Sequence, residues 1–183
     1  MTALQTALAP FTLKGFYLLT WGTTLGANVW NTVSGYRTYK TLPRATFGTL
    51  QSRLTPLYFS FSTLSSAALL LTHLYFHPAL ISFSSFFGPL NWRSSEEGRQ
   101  GLLILGALVP QAVNWFYAGP KATEKMFARH RLEKMEGKSY DEASPSEAMQ
   151  KLNKSFAGLH GLVSSLNTVS FISLAGLGLA VSM

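Results

Sequence analysis

Four stretches of this chain contain no Asp, Glu, Lys or Arg: residues 15–36, 56–77, 101–118 and 157–181. Crossing a hydrocarbon core takes about 20 predominantly apolar residues, so three of these runs are long enough outright and residues 101–118 are marginal. A helix that is apolar all round must be enclosed by other elements or by lipid. Four such helices in 183 residues leave too little amphipathic chain to enclose them. Charged residues make up 13% of the sequence, against about 25% in soluble domains. The sequence therefore predicts an all-α membrane protein: a four-helix transmembrane bundle with cytosolic amphipathic helices, forming a single domain over residues 1–183. Residues 15–36 are read as a retained span rather than a cleaved leader, because the run is long and no small-x-small cleavage site follows it.

Charge placement sets the expected orientation. Of fifteen Lys and Arg, twelve fall in two segments, residues 37–55 and 119–156, while Lys14, Arg93 and Arg99 lie on the other side. The positive-inside rule places the rich side in the cytosol, so both termini are expected to be non-cytosolic. The net charge of +7 thus belongs to membrane topology and not to a nucleic-acid footprint, and no nucleic-acid partner is expected. The sequon Asn153-Lys154-Ser155 falls on the cytosolic side and is expected to stay unmodified.

Two interfacial segments are expected. Over residues 43–55, Pro43 suits a first helical turn. Phe47, Leu50, Leu54, Leu57 and Tyr58 share one face, with Gly48, Gln51, Ser52 and Thr55 opposite. This reads as an amphipathic helix lying in the interface and bending into the second span at Pro56. Residues 120–136 read as a charged helix continuing from the third span, followed by a loop rich in Gly, Ser and Pro. Arg44, Arg53, Lys121, Lys125 and Arg129 are expected to face anionic lipid headgroups or a protein partner. On the opposite side Phe83, Phe86, Phe87 and Trp92 suit a membrane–water boundary.

Each span carries a polar stripe. Thr24, Asn28 and Asn31 lie on the first, Gln111 and Asn114 on the third, and His160, Ser164 and Asn167 on the fourth, while Ser62 and Ser66 lead to His73 and His77 on the second. Polar groups in hydrocarbon need partners, so the stripes are expected to face one another as an inward seam. The seam has two readings, a path or pocket for a small solute or proton, and interhelical adhesion. His160 would either titrate or anchor a bond to a facing Asn. His73 and His77 share a helix face at i, i+4, a weak candidate for a metal pair, with packing at the interface as the alternative. Gly22-x-x-x-Gly26 permits close backbone approach on the first span.

The absence of cysteine removes disulfides, thiol nucleophiles and thiolate metal sites. There is no phosphate loop, dinucleotide fingerprint or Ser/His/Asp set, and every acidic residue falls outside the apolar runs. The chain is expected not to be an enzyme and to need no cofactor.

A family resemblance rests on particular blocks. Trp30, Gly35, Leu42-Pro43-Arg44, Thr46-Phe47-Gly48, Leu50 to Leu54, Pro56 and Tyr58-Phe59 form the first. Asn114, Tyr117, Pro120 and Met126, then Phe156, His160-Gly161, Ser164 and Asn167, form the looser remainder. In these blocks the chain resembles the transmembrane protein 205 family, over most of its length. The resemblance implies a small four-span protein of the endomembrane system or cell surface, with a mitochondrial membrane as the alternative. The residues themselves favour an interaction, scaffold or accessory protein with a protein partner or a second copy. The alternative is a transporter or exporter of a small solute.

Overall fold

A computed structural model describes residues 11–81 and 89–182 of the chain. It is all-helical among these residues. Helix α1 spans Leu13–Thr41 and α2 spans Arg44–Phe76. A 3-10 turn, Pro78–Ile81, follows, then short α3, Pro89–Ser94, and α4, Glu96–Val113. A π turn, Asn114–Ala118, joins α4 to α5, Gly119–Glu136. Helix α6, Glu147–Ser182, closes the bundle.

Local chemistry explains the boundaries. The Thr12 hydroxyl accepts from the Gly15 N–H at the start of α1, and Ser95 does the same for Gly98 at the start of α4. Only Leu42 and Pro43 separate α1 from α2. So short a link forces the two helices antiparallel and side by side. The π turn sits directly before Pro120, whose ring would clash with the carbonyl four residues back in a regular helix. Widening the preceding turn relieves that clash and rotates α5 relative to α4. Gly137 takes the left-handed conformation (φ 66°) that ends α5.

Among the described residues, three helices are long and apolar enough to cross a membrane: Arg44–Phe76, the continuous Glu96–Glu136, and Glu147–Ser182. Helix α1 is diluted by Thr20, Thr23, Thr24, Asn28, Asn31 and Thr32. The apolar runs are thus parts of longer helices, whose longest charged extensions lie at the end of the bundle where α1 meets α2 and α5 meets α6. The charged helix expected over residues 120–136 is α5.

The separate amphipathic helix expected over residues 43–55 is not present. That segment is the first third of one continuous α2, with Pro56 inside it. The two-residue link is the cause, because residues 44–55 must pair with the last turns of α1, where Tyr39 meets Phe47 edge-on at 5.6 Å. The segment's expected apolar face is turned outward at Leu54 and Leu57, which are exposed, while Gly48 and Phe59 are buried. Gly48 is needed at its position, since a Cβ there would lie 2.8 Å from the His130 ring and 3.0 Å from Met126 Sδ.

The bundle is layered along its axis. At the end where α1 begins and α6 ends, Tyr17, Leu69, Ile104, Ala107, Leu174 and Leu177 form an apolar cluster, with Trp21, Leu25 and Leu103 against it. There the Trp21 indole N–H donates to the Leu174 carbonyl at 2.8 Å. The middle layer is polar, holding Thr24, Asn28, Ser62, Ser66, Gln111, Asn114 and Ser170 in burial. The far layer holds Arg129 and Met149. Large apolar side chains such as Leu64, Leu71, Ile172 and Leu179 point outward. Polar inside and apolar outside is the arrangement expected of helices solvated by lipid. Of the boundary aromatics, Phe83, Phe86 and Phe87 fall outside the described residues, and Trp92 packs on Gly101 of α4.

Candidate functional site

Thr and Ser hydroxyls in a helix can bond back to a carbonyl one turn earlier. Thr24 does so to Thr20 at 2.6 Å, and Thr32 to Asn28 at 3.1 Å. A carboxamide carries both donors and an acceptor, and in a dry interior it must find them on another helix. Three helices, α1, α4 and α6, send such groups to the middle of the bundle, and α2 sends the Tyr58 hydroxyl. Asn167 of α6 is the hub, its Oδ1 accepting from the Tyr58 hydroxyl of α2 at 2.7 Å and the Gln111 amide of α4 at 2.9 Å. Asn28 of α1 and Asn167 exchange longer amide contacts of 3.4 Å in both directions. Gln111 also donates to Tyr58 at 3.3 Å, and Asn114 donates to the Val163 carbonyl at 3.1 Å.

The expected seam is therefore partly assembled. Asn28, Gln111, Asn114 and Asn167 converge, and Thr24 is buried one turn from Asn28 with its hydroxyl spent on its own helix. Asn31 is half-buried and its side chain makes none of these bonds. His160 is not in the seam; it is exposed and stacks on Phe156 at 5.6 Å between ring centroids. Ser164 is likewise exposed. Seven residues from Asn167, His160 lies within about 20° of it around α6, so its exposure comes from its place two turns along the axis, beyond the polar layer, and not from a different helix face. Tyr58 was assigned by spacing to an apolar face; its i, i+4 relation to Ser62 and Ser66 was the signal that it belongs with the stripe.

Several buried acceptors and hydroxyls in this layer have no partner among the described residues, notably Gln111 Oε1, Asn114 Oδ1, Ser62 Oγ and Ser170 Oγ. A lateral cleft of about 220 Å³ opens between α1 and α6. Asn28 and Asn167 line it with Val29, Val33 and Phe171.

His73 and His77 stack with ring centroids 4.6 Å apart. His73 is buried, and its Nε2 lies 2.8 Å from the Glu97 carbonyl. That contact assigns the Nε2 proton and ties α2 to the start of α4, so this nitrogen is not free to ligate.

The basic residues divide. Arg53 and Lys121 are exposed. Lys121 and Lys125 lie 3.6 and 3.4 Å from Glu124, contacts of surface-pair strength. Arg129 is not outward-facing: it is 5% exposed. Its guanidinium lies 4.6 Å from the Tyr140 ring centroid and 4.5 Å from that of Phe156. The flat cation has been drawn between two aromatic faces where α5 packs on α6. Arg44 is paired with Glu133 and sits 3.5 Å from the centroid of the same Tyr140 ring.

Residues 19–131 match the model of a family described as a domain of unknown function, DUF4149. Transmembrane protein 205 of Danio rerio is 27% identical over 172 residues, which covers 87% of this chain and 86% of the relative. No solved structure matches the chain. Asn28, Tyr58 and Gln111 fall inside the region that the family model matches, and Asn167 lies beyond it.

Proposed function

The chain belongs to the DUF4149 family, and from that premise we propose that it is a four-span membrane protein serving as an interaction or accessory subunit. In this reading α1 is the first span, Arg44, Arg129 and the loop after Gly137 face the cytosol, and both termini lie on the other side. The twelve-to-three bias of Lys and Arg supports the orientation. The likeness to transmembrane protein 205 supports a place in a membrane, in this reading one of the endomembrane system or the cell surface.

One observation carries the functional reading. The polar groups of the middle layer bond one another across all four long helices, and the cleft beside them opens sideways between α1 and α6. Ligand pockets usually measure about 300–1,000 Å³, and this cleft is smaller, at about 220 Å³. Val29 and Val33 make its walls largely apolar, and the Asn28–Asn167 pair gives its floor a polar mark. A lateral apolar slot with two amides at mid-depth suits a transmembrane helix bearing one polar side chain, because such contacts select a partner within a bilayer. The eight carboxylates lie outside the apolar runs, so the reading includes no catalytic step.

The test places a photo-cross-linking residue at Val33, on the cleft wall, and at outward-facing Leu64 of α2 in native membranes. A discrete protein adduct from position 33 and none from position 64 is the expected result. The competing reading is solute transport past the amide floor. Solute flux in vesicles containing only this protein, abolished by Asn167→Leu, would establish transport and displace the interaction reading.

A further inference from the structure

At the basic end of the bundle, Arg44 of α2 and Arg129 of α5 lie 3.5 and 4.6 Å from one ring centroid, that of Tyr140. The guanidinium groups are therefore neighbours. Glu133 is paired with Arg44, and its Oε1 also accepts from the Tyr140 backbone N–H at 3.0 Å. The two guanidinium groups share the Glu133 carboxylate inside the site, while exposed Asp141 acts on Arg44 from outside it. Arg44 Nη2 and Arg129 Nε are both buried and have no hydrogen-bond partner among the described residues. Stranding a charged donor is costly, so the site as drawn lacks an acceptor. The segment that brings Tyr140 into place is itself anchored, the Asn153 side-chain amide donating to the Tyr140 carbonyl at 2.9 Å.

Depth indicates the source of that acceptor. Asn28 and Tyr58 lie near the middles of α1 and α2, as Asn167 does in α6. Counting about 1.5 Å per residue from Tyr58 to Arg44 and from Asn167 to Phe156 puts the arginine site roughly 16–21 Å from the polar layer. Half of a hydrocarbon core is about 15 Å. Phe156 directly precedes the apolar run 157–181, and Arg44 and Arg129 lie outside the runs 56–77 and 101–118, so the site sits at the boundary where headgroups begin.

We propose that Arg44, Arg129 and Tyr140 form a phosphate-binding site filled by the headgroup of an anionic phospholipid. The phosphodiester supplies negative charge beside the two arginines and oxygens for the two unpartnered N–H groups. Arg44 is the mouth of the site, with its side chain 31% exposed, and Arg129 is its floor. The site is independent of the lateral cleft and of any protein partner.

The experiment uses the full chain in phosphatidylcholine nanodiscs, with phosphatidylglycerol added in one arm and inorganic phosphate in another. Phosphatidylglycerol is expected to bind in preference to phosphatidylcholine and to slow amide exchange over residues 138–146. Arg129→Gln should weaken that binding about tenfold, the factor for one lost charge-assisted hydrogen bond. Arg131→Gln, exposed on the same helix, should change it less than about twofold. Equal losses from the two variants would reduce the site to diffuse charge and overturn the proposal. So would unchanged exchange in the wild-type chain with phosphatidylglycerol, a readout that holds if Arg129→Gln fails to fold. Protection by inorganic phosphate but not by phosphatidylglycerol would overturn the lipid assignment and leave a soluble phosphate as the ligand.

Discussion

Replacing Asn167 by Leu removes the hub of the polar layer while keeping the number and branching of the side-chain heavy atoms. Asn167 takes part in two bonds of ordinary length, 2.7 Å from Tyr58 and 2.9 Å from Gln111, and in two 3.4 Å contacts with Asn28. Interhelical hydrogen bonds in membranes average about 0.6 kcal/mol and reach about 1.7. The two short bonds then account for roughly 1–2 kcal/mol, and the long pair adds little. The variant also strands the Gln111 amide, already short of a partner at Oε1, which adds about 1 kcal/mol. The expected loss is about 2–3 kcal/mol, read in mild detergent as a fall in Tm of several degrees. His160→Leu, at an exposed position on the same helix, should change stability by less than about 0.5 kcal/mol. Gln111→Leu added to Asn167→Leu should cost less than the sum of the two, because the same bond cannot be lost twice. Equal effects of Asn167→Leu and His160→Leu would refute the reasoning, as would strict additivity in the double variant.

Trp21→Phe removes the indole donor to the Leu174 carbonyl and should cost about 1 kcal/mol in the same thermal assay, while Trp30→Phe, exposed on α1, should be neutral. Gly48→Leu forces a side chain into His130 and Met126, so it should loosen α5 from α2 and raise protease cleavage within residues 120–140. His130, in α5 beyond the spans, has its pKa held below the ordinary imidazole value, first by burial and then by the Arg44 charge. The unfolded chain therefore takes up that proton first, and stability should fall as pH drops below about 6.5; His130→Leu should flatten that slope. A glycosylation acceptor inserted after Gly137 should remain unmodified, and efficient modification would reverse the proposed orientation.

The apolar runs were legible because lipid imposes a simple rule on charge, and α2, α4 and α6 follow it closely. Convergence of Asn28, Gln111, Asn114 and Asn167 was legible for the same reason, since amides in hydrocarbon have nowhere else to bond. Three features were not. Residues 43–55 show apolar spacing suited to an interfacial helix, but the two-residue link at Leu42-Pro43 overrides it and turns small Gly48 inward. His160 sits one heptad from Asn167, within about 20° of it around the helix, yet two turns further along the axis it stands exposed beyond the polar layer. Arg129 reads as one more surface cation among Lys121, Lys125 and Arg131. Only the return of α6 and the loop through Tyr140, contacts distant in sequence, makes it a buried one.

The central claim is that lipid surrounds the apolar faces while the amides turn inward. Oxygen accessibility of single nitroxide labels along α6, residues 162–179, in liposomes tests it most directly, and the natural absence of cysteine removes background labelling. The account predicts high oxygen access and low access to a water-soluble quencher at Leu162, Val169, Ile172 and Leu179, with minima at Ser170, Ser173, Leu174 and Leu177. Maxima at the latter four positions, or strong quenching from water along the whole stretch, would contradict it.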